Sequence, residues 1–89
     1  MRRFGPFELA ARLGRGGSAE VWRAVHRGAH GFARTVALKR LLPERLADEK
    51  LRASLLAEAR LAAQLTHANV AQVLDVVEAG GEHAIVMEL

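Results

Sequence analysis

Three kinds of residue follow one another in this chain: a glycine cluster at Gly14, Gly16 and Gly17, a lysine at Lys39 in an apolar segment, and a carboxylate at Glu58 in an alanine-rich one. Glycines between two strands let backbone N–H groups approach an anion closely and adopt conformations closed to other residues. An ammonium and a carboxylate able to hold it complete one side of such a site. Each feature also has a plainer reading. A glycine cluster makes ordinary hairpin turns, a strand lysine snorkels to water, and a helical glutamate pairs with a surface arginine such as Arg60.

The elements that position these residues are legible from periodicity. Phe7, Leu9, Ala11 and Leu13 alternate with Glu8 and Arg12, the two-residue period of a half-buried strand. After the glycine turn, Ala19 to His26 carries Val21, Trp22 and Val25 and reads as a second strand, with helix as the competing assignment. His26 to Gly31 reads as a hairpin connection and Thr35 to Leu42, ending at Pro43, as a third strand. Alternation there places Ala37, Lys39 and Leu41 on one face and Val36, Leu38 and Arg40 on the other.

From Glu49 to Leu65 the period becomes helical, with Leu51, Leu55, Leu61, Ala62 and Leu65 in one stripe. Glu58 interrupts that stripe at its centre and is expected to face the sheet. An unpaired buried carboxylate there costs about 3 to 5 kcal/mol, which calls for a cation on the facing strand, and Lys39 is the candidate. Val70 to Glu78 and His83 to Glu88, joined by a turn at Gly80 and Gly81, predict two more strands. The sum is an α+β fold: a five-stranded antiparallel sheet with one main helix.

Composition sets the outer limits. With 89 residues, 51% of them hydrophobic, the chain makes one small domain. It has no cysteine, so neither disulfides nor thiolates reinforce the core, as suits a cytoplasmic protein. Pro6, Glu8 and Arg12 interrupt any signal-like apolar run. The uncharged stretch Leu61 to Leu74 contains Gln64, Thr66, His67, Asn69 and Gln72, too polar to span a bilayer. The net charge of +3 is mostly arginine in the first half, while one Trp, three Phe and no Tyr leave little for base stacking. No nucleic-acid partner is expected.

Leu13-Gly14-Arg15-Gly16-Gly17-Ser18-Ala19-Glu20-Val21, then Val36-Ala37-Leu38-Lys39, then Glu58 together resemble the small N-terminal lobe of a eukaryotic-like (Hanks-type) protein kinase. Leu65-Thr66-His67-Ala68-Asn69-Val70 and Ile85-Val86-Met87-Glu88-Leu89 give the resemblance a bacterial serine/threonine style, and it runs from about Phe7 to Leu89. It implies an ATP site. Gly14, Gly16 and Gly17 would form the lid over the phosphates, Leu13, Arg15, Ser18 and Ala19 would belong to the same nucleotide-binding segment, Lys39 would hold the α- and β-phosphates, and Glu58 would orient Lys39. Val21 and Ala37 would pack on adenine, Met87 would gate the rear of the pocket, and the Glu88 carbonyl would begin the hinge. Ala19 replaces the third glycine of the pattern and Ala68 stands where proline is usual.

The resemblance also says what these residues leave out. The 89 residues contain no His-Arg-Asp loop and no Asp-Phe-Gly metal site, so magnesium and the protein substrate belong to a complete kinase. Residues 1–89 are therefore expected to be a partial kinase domain ending at the hinge, and to transfer no phosphate alone. Two other classes compete. Gly14-x-Gly16-x-x-Ala19 also fits a dinucleotide-binding turn, but that needs Ser18 to His30 to be helical and an acidic residue where Arg34 stands. A noncatalytic interaction or regulatory module is the other. His26 and His30 are spaced as metal ligands, though in a glycine-rich turn with no third ligand.

Overall fold

The computed structural model describes residues 2–64 and 72–89. A six-stranded antiparallel sheet has the order β1-β2-β3-β4-β6-β5, built from β1 (Arg3–Phe4), β2 (Phe7–Arg15), β3 (Ala19–Arg27), β4 (Ala33–Leu41), β5 (Val73–Ala79) and β6 (Glu82–Met87). One helix, α1 (Glu49–Ala63), lies between β4 and β5 in sequence and packs on β4, β5 and β6.

Five of the six strands are those the alternation predicts. The sixth, β1, is two residues long and has no period to detect. Gly5 creates it: a φ of 55° reverses the chain so that Phe4 pairs with Phe7, and both rings are buried. A Cβ on Gly5 would also stand 3.3 Å from that of Ala79, so the same glycine lets the turn sit close to β5.

Alternation along β4 divides the interior. Val36 and Leu38 join Phe4, Phe7, Leu9, Trp22, Ala24, Ala84 and Val86 in one cluster on one face of the sheet. Leu41 joins Leu55, Ala59 and Ile85 in a second cluster beneath α1, with Leu46, Leu51, Val73 and Met87 packed against it. Removing this apolar surface from water is the main force holding the domain together.

The helix begins where Asp48 Oδ1 accepts the backbone N–H groups of Lys50 and Leu51 at 3.0 and 3.1 Å, satisfying two donors of the first turn. Its buried stripe is rotated from the predicted one. Leu55 and Ala59 are buried, whereas Leu61 is 65% exposed. Leu55 and Ala59, one turn apart, define the buried face, and Leu61, six residues past Leu55, stands about 120° round the helix from it. Leu65 and the predicted start of the fourth strand at Val70 lie outside the described residues.

The β5–β6 connection is the two-residue turn Gly80–Gly81 with φ values of 59° and 82°, the type I′ geometry that glycine permits and that matches strand twist. The β3–β4 hairpin closes through a single 3-10 turn, Ala29–Gly31.

Candidate functional site

Strand register aligns the chemistry-bearing residues in a row. Gly14 pairs with Val21, Val21 with Lys39, and Lys39 with Ile85, across β2, β3, β4 and β6. Ala37 pairs with Met87 one step along the same face. Directly paired residues project to the same side, so Val21, Ala37, Lys39, Ile85 and Met87 share the face on which α1 packs.

Lys39 Nζ lies 2.6 Å from Glu58 Oε1, a direct charge-assisted contact from β4 to α1. The pair forms, but not as the stripe implied. The side chain of Glu58 is 54% exposed and that of Lys39 24% exposed. Because the helix turns Leu55 and Ala59 to the sheet, Glu58 lies at the border of the packed stripe rather than at its centre. The cost of an unpaired buried carboxylate therefore does not hold the pair in place, and of the three N–H donors of the ammonium this contact uses one.

The glycine turn is closed by Gly16 N–H donating to the Ala19 carbonyl at 2.8 Å and anchored by Leu42 N–H donating to the Ser18 carbonyl at 2.9 Å. Arg15 reaches Glu44 at 3.4 Å, an exposed ion pair. None of Gly14, Gly16 and Gly17 has a positive φ, so these glycines do not serve a conformation closed to other residues. A Cβ built on Gly14 or Gly17 would meet no atom within 4 Å, and one on Gly16 only the Ala19 carbonyl at 3.9 Å. Nothing inside the chain requires glycine at 14 or 17. What their missing side chains leave is clearance outside the chain, the condition for a backbone cradle around an anion. Ala19 opens β3 with ordinary strand φ, so a third glycine is not needed for its conformation.

Sequence reasoning passed over Glu20. Its side chain is 4% exposed, and it accepts a hydrogen bond from Arg40 Nε at 3.0 Å with Arg12 Nη1 at 3.7 Å. Burial raises the pKa of this carboxyl, and the neighbouring Trp22 indole N–H, Arg40 and Arg12 lower it by more, so it titrates below its ordinary value. The indole acts through proximity, since its buried Nε1 makes no hydrogen bond of good geometry. The signal was present: Glu20 shares its alternation with Trp22 and Ala24, both buried. Glu8 also titrates low, chiefly through its hydrogen bond from Arg27 at 2.9 Å.

Residues 19–27, which a dinucleotide-binding turn requires as helix, form strand β3, and this removes that alternative. His26 stacks against Phe7 with ring centroids 4.9 Å apart. Among the described residues no three His, Cys, Asp or Glu side chains gather as a metal set, and no helix is long and apolar enough to cross a membrane.

A family model for protein tyrosine and serine/threonine kinases matches residues 7–89. The chain belongs to that kinase family. It is 40% identical over 85 residues to the tyrosine-protein kinase MasK of Myxococcus xanthus, and 35% identical over 86 residues to the serine/threonine-protein kinase PknD of Mycobacterium tuberculosis. The matches cover 96% and 97% of this chain but only 13% and 12% of those proteins, so it spans about an eighth of the curated relatives' length. Among solved structures, a cysteine-to-alanine mutant of the Mycobacterium tuberculosis PknI kinase domain superimposes with a TM-score of 0.66 at 31% identity, and the apo form of PpkA-294 with 0.76 at 27%. Each covers 99% of this chain, which in turn covers 34% and 37% of those chains. The sheet with one helix is thus the small-lobe architecture of kinase domains.

Proposed function

We propose that this chain is the ATP-binding half of a cytoplasmic protein kinase that phosphorylates serine or threonine. The observation that carries the reading is the Lys39–Glu58 contact of 2.6 Å in a chain whose glycine turn has no internal need of glycine at 14 and 17. The open side of that turn fits a phosphate-bearing ligand, because a Cβ at either position would occupy the space a phosphate oxygen needs to reach the backbone N–H groups.

Each residue then has a physical task. The loop Leu13, Gly14, Arg15, Gly16, Gly17, Ser18 and Ala19 covers the phosphates with backbone donors, Lys39 carries the positive charge for the α- and β-phosphates, and Glu58 keeps the ammonium from folding away toward solvent. Val21 and Ala37 present small apolar surface to the adenine, Met87 bounds the rear of the pocket, and the Glu88 carbonyl meets the base edge. When bound, magnesium ATP supplies the phosphoryl group. Positioning and electrostatics are what this side of such a site contributes.

No residue of the 89 is assigned to the metal or to the proton of the accepting hydroxyl, so the chain alone is proposed to be inactive in transfer. The serine/threonine assignment draws on the names of relatives such as PknD, against the tyrosine kinase name of MasK. Phosphoamino-acid analysis of substrate labelled by a kinase carrying these residues tests it.

The decisive test is thermal unfolding of the 89-residue chain with and without magnesium ATP. A ligand that binds only the folded state at 100 times its Kd adds about 2.7 kcal/mol. A rise in Tm that Lys39→Ala abolishes supports the site. No rise at millimolar nucleotide overturns nucleotide binding by this chain and favours a noncatalytic lobe.

A further inference from the structure

Glu20 is the one charged side chain among the described residues that is buried, and it lies one register position from the row that carries Lys39. Glu20 and Arg40 pair directly across β3 and β4, and their side chains point to the opposite face from Val21 and Lys39. The carboxylate takes Arg40 of β4 at 3.0 Å and Arg12 of β2 at 3.7 Å, so one group joins three strands. Arg40 is itself held, with its guanidinium 6.0 Å from the centre of the Trp22 ring and Arg2 at 5.4 Å from the same ring.

The strand being held needs it. Beyond Leu9, no residue of β2 is buried, and the pairing of β2 with β3 slips twice, between Leu9 and Ala11 and again between Arg12 and Gly14. An exposed, twice-bulged strand end running into three glycines has no fully buried apolar side chain to fix its register, and registers of that kind are weakly specified. Buried ion pairs give little net stability over apolar replacements, so stability alone does not account for a carboxylate in this core. A directional tether between strands does.

We propose that Glu20 is a positioning residue: its buried carboxylate, by holding Arg12 of β2 and Arg40 of β4, sets the glycine turn at a fixed place relative to Lys39. Loss of the tether leaves the two core clusters intact and lets the C-terminal end of β2 move. The ligand arm of this inference rests on the nucleotide-site reading; the motion of the turn does not.

The test compares the 89-residue chain with its Glu20→Gln and Arg12→Gln variants. Arg12→Gln removes only the arm to β2 from a residue whose side chain is 47% exposed, so it folds even if the buried variant does not. Amide hydrogen exchange is followed by NMR at Gly16, whose N–H bonds the Ala19 carbonyl, and at the β5–β6 ladder as the internal standard. The expected result is exchange accelerated about tenfold more at Gly16 than in the β5–β6 amides, together with magnesium ATP affinity about fivefold weaker as the competent turn becomes less populated. Exchange that rises equally everywhere makes Glu20 a purely structural residue, and unchanged exchange at Gly16 denies the tether; either overturns the proposal. A loosened turn with unaltered magnesium ATP affinity overturns its service to the site. Should the unmodified chain bind no magnesium ATP, the nucleotide-site reading falls by itself, and the exchange comparison still decides whether Glu20 holds the turn.

Discussion

Lys39 Nζ and Glu58 Oε1 meet at 2.6 Å at the border of the helix–sheet contact, with the glutamate side chain 54% exposed. An exposed pair of this kind contributes only about 0 to 1 kcal/mol to folding, yet it fixes where the ammonium stands. Stability and ligand binding therefore separate at this position. Lys39→Ala is expected to move the Tm of the ligand-free chain by no more than about 8 °C, since 1 kcal/mol corresponds to roughly 4 to 8 °C in a domain of this size. The same change is expected to erase the stabilisation by magnesium ATP. Differential scanning fluorimetry of both proteins reads both quantities, and a large drop in the ligand-free Tm would assign the lysine to folding instead.

Glycine substitutions should divide in the same way. Gly14 has no positive φ, and a Cβ added there would meet no atom within 4 Å, so Gly14→Ala leaves the ligand-free chain as stable or more so, by about 0.4 to 1 kcal/mol from the stiffer unfolded chain. Gly81, at a φ of 82°, is the opposite case, and Gly81→Ala is expected to destabilise by about 1 kcal/mol or more. Urea unfolding measures both. Calorimetry with magnesium ATP is expected to find binding weakened by Gly14→Ala and retained by Gly81→Ala below its unfolding range.

Much of this was legible in the chain. Alternation located five strands where one face is more buried than the other, and the faces of β4 followed because successive side chains of any strand point to opposite sides. The helix was legible from its period, and Glu58 as the partner of Lys39 from its place in the sequence, although the burial expected of that carboxylate is not met. The helix rotation was not: Leu61 carries the larger apolar side chain, yet Leu55 and Ala59 define the buried face and leave Leu61 outward. Nor was β1, since Arg3 and Phe4 are too few to carry a period and only the φ of Gly5 reveals the reversal. The burial of Glu20 could be read from its alternation with Trp22 and Ala24, but its partners could not, because Arg12 and Arg40 come from strands on either side.

Acid should destabilise the fold through two carboxylates in particular. Glu20 titrates low because the Trp22 indole, Arg40 and Arg12 outweigh its burial, and Glu8 titrates low through Arg27 and Arg3. For a group whose folded pKa lies below its ordinary value of 4.5, the linked stability is complete above that value and is lost as pH falls through the folded pKa. Tm is expected to hold steady near neutrality and to decline below about pH 4.5. Glu20→Gln should start lower at neutral pH and decline less steeply. An unchanged acid limb in that variant would show that other groups set it.

Helix α1 offers a control that separates the presence of Glu58 from its placement. Asp48 caps the helix through two backbone N–H groups, and Asp48→Ala is expected to cost about 1 kcal/mol, with most of it restored in Asp48→Asn because asparagine caps nearly as well. The loss acts on the whole fold, so well below the Tm the uncapped chain should still bind magnesium ATP with nearly its original affinity. Glu58→Gln should do the reverse, leaving the Tm within a few degrees, about the worth of an exposed ion pair, while weakening binding by releasing Lys39. Chemical denaturation paired with isothermal titration calorimetry distinguishes the two patterns. If removing the cap weakened binding as much as Glu58→Gln does, the position of the helix, rather than its glutamate, would govern the lysine.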